Sequence, residues 1–340
     1  MIGADVAPAR VLVRLPNWLG DAIMARPLLH ALRVAWPAAR IMGVGPEGPS
    51  APIVGERLTD EFLPWPGDAA GHSAVIRSAR AWRPDLAFVL PVSFSSAWLA
   101  WRSGARERVG YRGDARRALL TEAPARRPRG ERHLSEEFLE LAAGRGVREV
   151  PVPPLIPTAE GVAAAVALLR AAGFAEGERY AILAPRSAYG PAREWFAERF
   201  VDMGRALAGR GLRALVCGTR SERASCDLVA GAICPAARSV AGETPIPVLV
   251  AVAAGASLAL CNDSGLAHVA AATGAPTIQI YGSASSAWTA ARGPRVRVLH
   301  RAPVCSPCWR RRCVIGTRCL DSVRVAWVLR HADELLAETG

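Results

Sequence analysis

Asp263, Ser264, Gly265 and His268 stand between an apolar run, Ser257-Leu258-Ala259-Leu260-Cys261, and an alanine-rich helical pattern. A strand that turns directly into a helix aims unpaired backbone N–H groups and the positive end of the helix dipole at one spot. Short polar side chains at such a turn make a receptor for a phosphate, and His268 on the first helical turn faces the same spot. Asp263 or Ser264 could equally be a plain helix cap, which uses the same residue types.

Three more turns follow strand-like runs. Ala184-Pro185-Arg186-Ser187-Ala188-Tyr189-Gly190-Pro191-Ala192-Arg193-Glu194-Trp195 places Arg193 just before a helical pattern. A guanidinium and backbone donors could there share an anionic ligand, or Arg193 could be a surface side chain beside a helix start. Cys217-Gly218-Thr219-Arg220-Ser221-Glu222 offers Glu222 as an acceptor for ribose hydroxyls. Pro16-Asn17-Trp18-Leu19-Gly20-Asp21 turns at Gly20 and sets Asp21 at a helix start. Asp21 is then either an N-cap or a carboxylate base at a cleft edge, and such a base accelerates a reaction by roughly 10²–10⁴-fold. Cys305, Cys308, Cys313 and Cys319 make a C-x2-C-x4-C-x5-C cluster that suits a structural zinc clip, packed free thiols or a local disulfide.

Composition bounds these readings. The 340 residues exceed the usual single-domain size, and a 51% hydrophobic content can fill two cores. The formal charge is +12 and all 42 basic residues are arginine, which suits anionic partners. Arg102 to Arg132 holds ten arginines against Glu107, Asp114, Glu122 and Glu131, either as a solvated basic face or as a contact surface. The region has no aromatic-interleaved strand, recognition-helix or zinc-finger pattern, which argues against nucleic acid. Met1 to Arg10 lacks an apolar leader pattern, and Pro245, Pro247 and Gly255 interrupt the longest uncharged stretch, Thr244 to Asn262. The expectation is a cytosolic protein with reduced thiols.

The elements that must position these residues alternate. Strands are predicted at 11–15, 41–44 and 86–90, with helices over 21–36 and 74–82. Pro27 marks a kink or a restart in the first helix. Pro151, Pro153, Pro154 and Pro157 form a stiff linker. The pattern then restarts, with strands at 180–184, 213–217, 257–261 and 277–281 between helices at 159–172, 195–210, 221–230, 247–254 and 266–273. A last helix spans 322–338. Alternation of this kind implies two α/β halves with doubly wound parallel sheets and a ligand cleft lined by loops at strand C-termini.

Taken in order, the junctions resemble the ADP-heptose:lipopolysaccharide heptosyltransferases, glycosyltransferase family 9, and most of all its type II branch. The likeness is carried by Leu15-Pro16-Asn17-Trp18-Leu19-Gly20-Asp21, by Val89-Leu90-Pro91-Val92-Ser93-Phe94-Ser95-Ser96-Ala97, and by Val109-Gly110-Tyr111-Arg112-Gly113. Tyr189-Gly190-Pro191-Ala192-Arg193-Glu194-Trp195 is similar to the family's Phe-Gly-Pro-Ala-Lys-x-Trp run. Asp263 through Ala271, Tyr281-Gly282-Ser283 and the cysteine cluster with Cys319-Leu320-Asp321 complete it.

The resemblance implies a GT-B architecture: two Rossmann-like domains facing an interdomain cleft. Residues 1–155 would bind the acceptor and 156–320 the nucleotide sugar, with 321–340 as a helix packing back toward the first domain. It implies inverting transfer with no cofactor and no catalytic metal. Asp21 would be the base. Arg193, where the family commonly has lysine, would face the departing diphosphate. Ser264, Gly265 and Leu266 would offer helix-end donors, Asp263, His268 and Ser187 would contact the donor, and Glu222 would hold the nucleoside. Asn17, Ser93 and Arg112 would meet the acceptor. The implied partners are an ADP-sugar, a phosphorylated lipopolysaccharide core and an anionic membrane surface. The implied location is cytoplasmic, peripheral to the inner face of the inner membrane.

Two departures bear on the donor sugar: Gly282-Ser283-Ala284 replaces Gly-Pro-Ser, and Pro185-Arg186-Ser187 replaces Pro-Gly-Ala. Transfer from another nucleotide sugar and a non-catalytic nucleotide-sugar binder are the competing readings. A dinucleotide oxidoreductase is disfavoured because the first turn lacks G-x-G-x-x-G.

Overall fold

The computed structural model describes residues 7–338. Residues 1–6, part of the segment read above as lacking a leader pattern, lie outside the described residues. The chain divides into two compact units, up to Pro153 and from Pro154. The division falls inside the proline linker, two residues before the expected boundary, and hydrogen bonds explain it. Arg26 Nη2 donates to Pro153 O at 2.9 Å in the first unit, whereas Leu155 N donates to Ala272 O at 2.7 Å in the second.

The first unit runs β1 (Arg10–Arg14), α1 (Leu19–Met24), α2 (Arg26–Ala35), β2 (Arg40–Gly45), α3 (Glu47–Gly55), β3 (Glu61–Pro64) and α4 (Ala69–Trp82). It continues with β4 (Leu86–Val89), α5 (Phe94–Arg102), β5 (Glu107–Val109) and α6 (Leu134–Glu140). Its sheet has the order β3-β2-β1-β4-β5 with every pair parallel. Val11, Leu12 and Val13 are fully buried, as strands covered on both faces by helices must be.

The second unit contains α7 (Ala159–Ala171), β6 (Tyr180–Ala184), α8 (Ala197–Ala208), β7 (Arg213–Val216), α9 (Arg223–Ile233), β8 (Arg238–Ser239) and α10 (Ile246–Ala254). There follow β9 (Leu258–Asn262), α11 (Gly265–Thr273), β10 (Thr277–Ile280), α12 (Ser286–Thr289), β11 (Val296–Leu299), α13 (Arg318–Asp321) and α14 (Val325–Ala337). Its sheet is also parallel, in the order β11-β10-β9-β6-β7-β8. Both units are therefore doubly wound. Strand order reverses between β1 and β4 in one and between β6 and β9 in the other, the place where such sheets bind ligands.

The restart expected at Pro27 is found. The first predicted helix is two, broken at Ala25, with Pro27 in the first turn of α2, where a missing N–H costs nothing. In the C-terminal helix α14, Val328, Ala332 and Leu335 are buried in the core of the second unit with Phe200 and Leu260. The apolar stripe of α14 is spent there, and residues from 321 belong to that unit. Ahead of it, Trp195 Nε1 donates to Val323 O at 2.8 Å.

Candidate active site

In the second unit, the loops after β6 and β9 flank the switch in strand order, and they carry Ser187, Arg193, Asp263 and Ser264. Hydrogen bonds lace the two loops together. Ser187 Oγ donates to Asp263 O at 3.0 Å, and Trp195 N donates to Asn262 Oδ1 at 2.9 Å. Arg193 Nη1 lies 3.0 Å from Asp263 Oδ2. The contact is an ion pair without hydrogen-bond alignment, since neither Arg193 Nε nor Asp263 Oδ2 has a hydrogen-bond partner. Burial pushes the Asp263 carboxyl up to about 6, against the opposing pull of Arg193 and of the nearby Tyr281 hydroxyl.

Tyr189 supports the guanidinium from below: Arg193 Cζ sits 3.7 Å from the ring centroid, a close cation–π contact. Tyr189 is itself held, with its hydroxyl donating to Trp309 O at 2.5 Å. Gly190 next to it has φ 138°, and a Cβ there would come within 2.8 Å of Arg311 O, so only glycine fits this turn. Glu194 accepts from Ser187 N at 3.0 Å and pairs with Arg186 at 2.8 Å. The bulky Arg186 thus belongs to loop structure. Sequence reasoning missed Tyr189, Asn262, Glu194 and Tyr281 as parts of this site. The Tyr-x3-Arg spacing across a single tight turn was the available signal for Tyr189.

The capping alternative for Asp263 and Ser264 fails. Ser264 is the N-cap of α11 by backbone geometry, yet it makes no side-chain cap and its buried Oγ has no hydrogen-bond partner. Asp263 precedes the cap. Gly265 and Leu266 begin the helix, and His268 is buried at the end of the first turn. An uncapped helix start beside a half-buried guanidinium has the donors and the charge that can receive an anion.

Glu222 takes a local role. Its carboxylate accepts from Thr219 N at 2.7 Å and Thr219 caps in return, a capping box ahead of α9.

The first unit repeats the arrangement at its own switch, with Asn17 and Asp21 after β1 and Ser93 after β4. Asp21 is not the N-cap; Trp18 is, and Asp21 lies in the first turn of α1, partly exposed. Buried Arg14 braces this loop, donating to Leu15 O and to Asn17 Oδ1 at 2.7 Å and lying over Trp65 at 5.2 Å. Burial lowers its guanidinium to about 10, so it is charged at neutral pH. Ser93 caps α5, accepting from Ser96 N at 3.3 Å. Arg112 is exposed, with its N–H bonded to Pro124 O at 3.0 Å.

The arginine-rich region divides. Arg116 is fully buried, donating to Tyr111 O at 2.9 and 2.6 Å and to Pro91 O. Arg126 pairs with buried Glu137 at 2.7 Å. Arg102, Arg106, Arg112, Arg117, Arg127, Arg129 and Arg132 are exposed. Among the described residues no three Cys, His, Asp or Glu side chains are arranged to hold a metal ion, so the cysteine cluster is not a formed ligand set. All of its thiols are free. The loop that carries them is tied to the turn after β10: Cys308 N and Trp309 N both donate to Ser283 O, at 3.0 and 2.9 Å.

Two doubly wound parallel domains, with a cation and an open helix start at one switch and a carboxylate at the other, define a GT-B type of glycosyltransferase. The sequence profile of glycosyltransferase family 9 (heptosyltransferase) matches residues 73–318, and the chain belongs to that family. Lipopolysaccharide heptosyltransferase 2 of Salmonella typhimurium is 28% identical over 307 residues, covering 85% of this chain and 87% of the relative. The Escherichia coli protein of the same name is 27% identical over the same shares. Among solved structures, E. coli ADP-heptose lps heptosyltransferase II superposes with a TM-score of 0.82 at 24% identity, covering 97% of this chain and 99% of that one. A family 9 glycosyl transferase from Veillonella parvula gives 0.84 at 21% identity, with 97% of each covered.

Proposed function

We propose that this enzyme moves a heptose from ADP-L-glycero-D-manno-heptose to a lipopolysaccharide inner core, with inversion at the anomeric carbon. The observation that carries the reading is the Arg193–Asp263 pair beside the uncapped start of α11. Departure of ADP is the demanding step, and Arg193 with the N–H groups of Gly265 and Leu266 would stabilise the charge that develops on the diphosphate. Ser187, Asp263 and His268 would orient the donor. The free oxygen of Glu222 is available to a ribose hydroxyl beside its capping role.

Asp21 would take the proton of the acceptor hydroxyl as that oxygen bonds to the anomeric carbon from the side opposite the diphosphate. The bond from that carbon to the phosphate oxygen breaks, ADP leaves with the electron pair, and the proton passes from Asp21 to water. Asn17, braced by Arg14, and Ser93 with Arg112 would line the acceptor side. The relatives' names support this assignment of donor and acceptor. No helix among the described residues is long and apolar enough to cross a membrane, and the proposed place of action is the cytoplasmic face of the inner membrane.

The test is ADP release from a panel of ADP- and UDP-sugars with a heptose-accepting core oligosaccharide. Release with ADP-heptose alone is expected. Release only with a different nucleotide sugar would overturn the donor assignment.

A further inference from the structure

Helix α5 buries one side, with Ser96, Ala97, Leu99 and Ala100 packed inward, and leaves the other uncovered. On that outer side Phe94, Trp98 and Trp101 are 46%, 37% and 42% exposed. Spacings of four and three residues put them in one row along the helix. The row is continuous, with ring centroids 6.1 Å apart for Phe94–Trp98 and 5.0 Å for Trp98–Trp101. Three large aromatics in contact on a surface mark an interaction site rather than scattered exposure.

Positive charge surrounds the row. Arg102 lies over Trp98 at 5.8 Å, and exposed Arg106 follows the helix end. The turn at Arg117–Leu119 packs against α5 and carries exposed Arg117. The loop with exposed Arg112 is pinned to the helix start by Phe94 N donating to Asp114 Oδ2 at 2.6 Å. The nearby acids Glu107 and Glu122 are both held by Arg145 at 2.8 Å, so they do not neutralise these arginines.

We propose that this face of α5 docks the protein onto the surface of an anionic lipid bilayer. Indole and phenyl rings prefer the boundary between headgroups and acyl chains, while guanidinium groups reach lipid phosphates. The charge complementarity selects a bilayer over a second copy of this chain, whose matching face would bring like charges together. The inference builds on the proposed membrane-side function, but vesicle binding requires neither donor nor acceptor and so stands or falls separately.

Flotation of the full chain with phosphatidylethanolamine–phosphatidylglycerol vesicles, against phosphatidylcholine vesicles, tests it. Wild type is expected to partition onto the anionic vesicles at least about tenfold more strongly. W98S/W101S should lose about tenfold or more of that binding at an unchanged thermal midpoint, and R102E/R106E should lose the preference for anionic lipid. Equal flotation of wild type and W98S/W101S would overturn the proposal, as would no preference of wild type for anionic vesicles. A dimer in sedimentation that W98S/W101S splits, with vesicle binding unchanged, would assign the face to self-association and overturn it as well.

Discussion

Arg193 Nη1 and Asp263 Oδ2 lie 3.0 Å apart, joining the two loops that flank the strand-order switch of the second sheet. The pair is half-satisfied by design of its surroundings. Asp263 is buried and reluctant to ionise, and Arg193 keeps a donor nitrogen without a partner. A diphosphate arriving there would compete with Asp263 for the guanidinium.

That competition gives a pH signature. With Asp263 ionised only above about 6, Asp263→Asn should bind ADP several-fold more tightly than wild type at neutral pH. The ratio of the two affinities, measured by calorimetry, should fall toward one as pH drops through that value. Taking the ratio cancels the titration of ADP itself. Stability has the opposite dependence to the usual carboxylate. The folded carboxyl, at about 6 against 3.8 unfolded, holds its proton in the folded state, so its contribution is present at low pH and lost as pH rises through about 6. The thermal midpoint of Asp263→Asn should exceed that of wild type most above this value and converge with it below 3.8.

Arg193 should tolerate little change. Arg193→Ala is expected to lower kcat by about 10²–10³-fold, the cost of one transition-state charge partner. Arg193→Lys keeps the charge but loses the flat stack on Tyr189 and should fall between the two. Steady-state ADP release measures both, and an Arg193→Lys variant equal to wild type would show that the stack is dispensable.

Ser264 should behave unlike an ordinary cap. Its side chain makes no cap bond, whereas Thr158 accepts from Gly161 N at 3.1 Å ahead of α7. Thr158→Ala is therefore expected to cost about 1 kcal/mol and Ser264→Ala much less. Ser264→Ala should instead weaken ADP binding. Thermal melts and calorimetry on the two variants separate the roles.

Arg116 should prove structural. It is fully buried among carbonyls, and Arg116→Met would leave Tyr111 O and Pro91 O without donors. A loss of about 3 kcal/mol is expected, read as a drop in thermal midpoint.

Much of the fold was legible because central strands are buried on both faces and read as unbroken apolar runs. Tyr180–Ala184 is predicted and found with identical bounds. The strands that the sequence does not reveal, β3, β5, β8 and β11, are the short edge strands of the two sheets and carry charged residues such as Glu61, Arg108, Arg238 and Arg297. Their alternation is too brief to register. Helix α3 was hidden by Gly48, Pro49 and Pro52, and α5 by its serines. At the site, spacing revealed which turns matter but not which groups are already committed. The Glu222 capping box is a local Thr-x-x-Glu pattern that the sequence does display, whereas the burial of Arg116 cannot be read without knowing what folds against it. The core that the C-terminal helix completes is equally illegible in the sequence, since its apolar stripe fits any core and only packing shows Val328, Ala332 and Leu335 in the second.

The role of Asp21 as base is tested by turnover and ADP affinity of Asp21→Asn side by side. Heptose transfer from ADP-heptose is expected to fall by roughly 10²–10⁴-fold while ADP binds as in wild type. Transfer by Asp21→Asn at the wild-type rate would contradict that role.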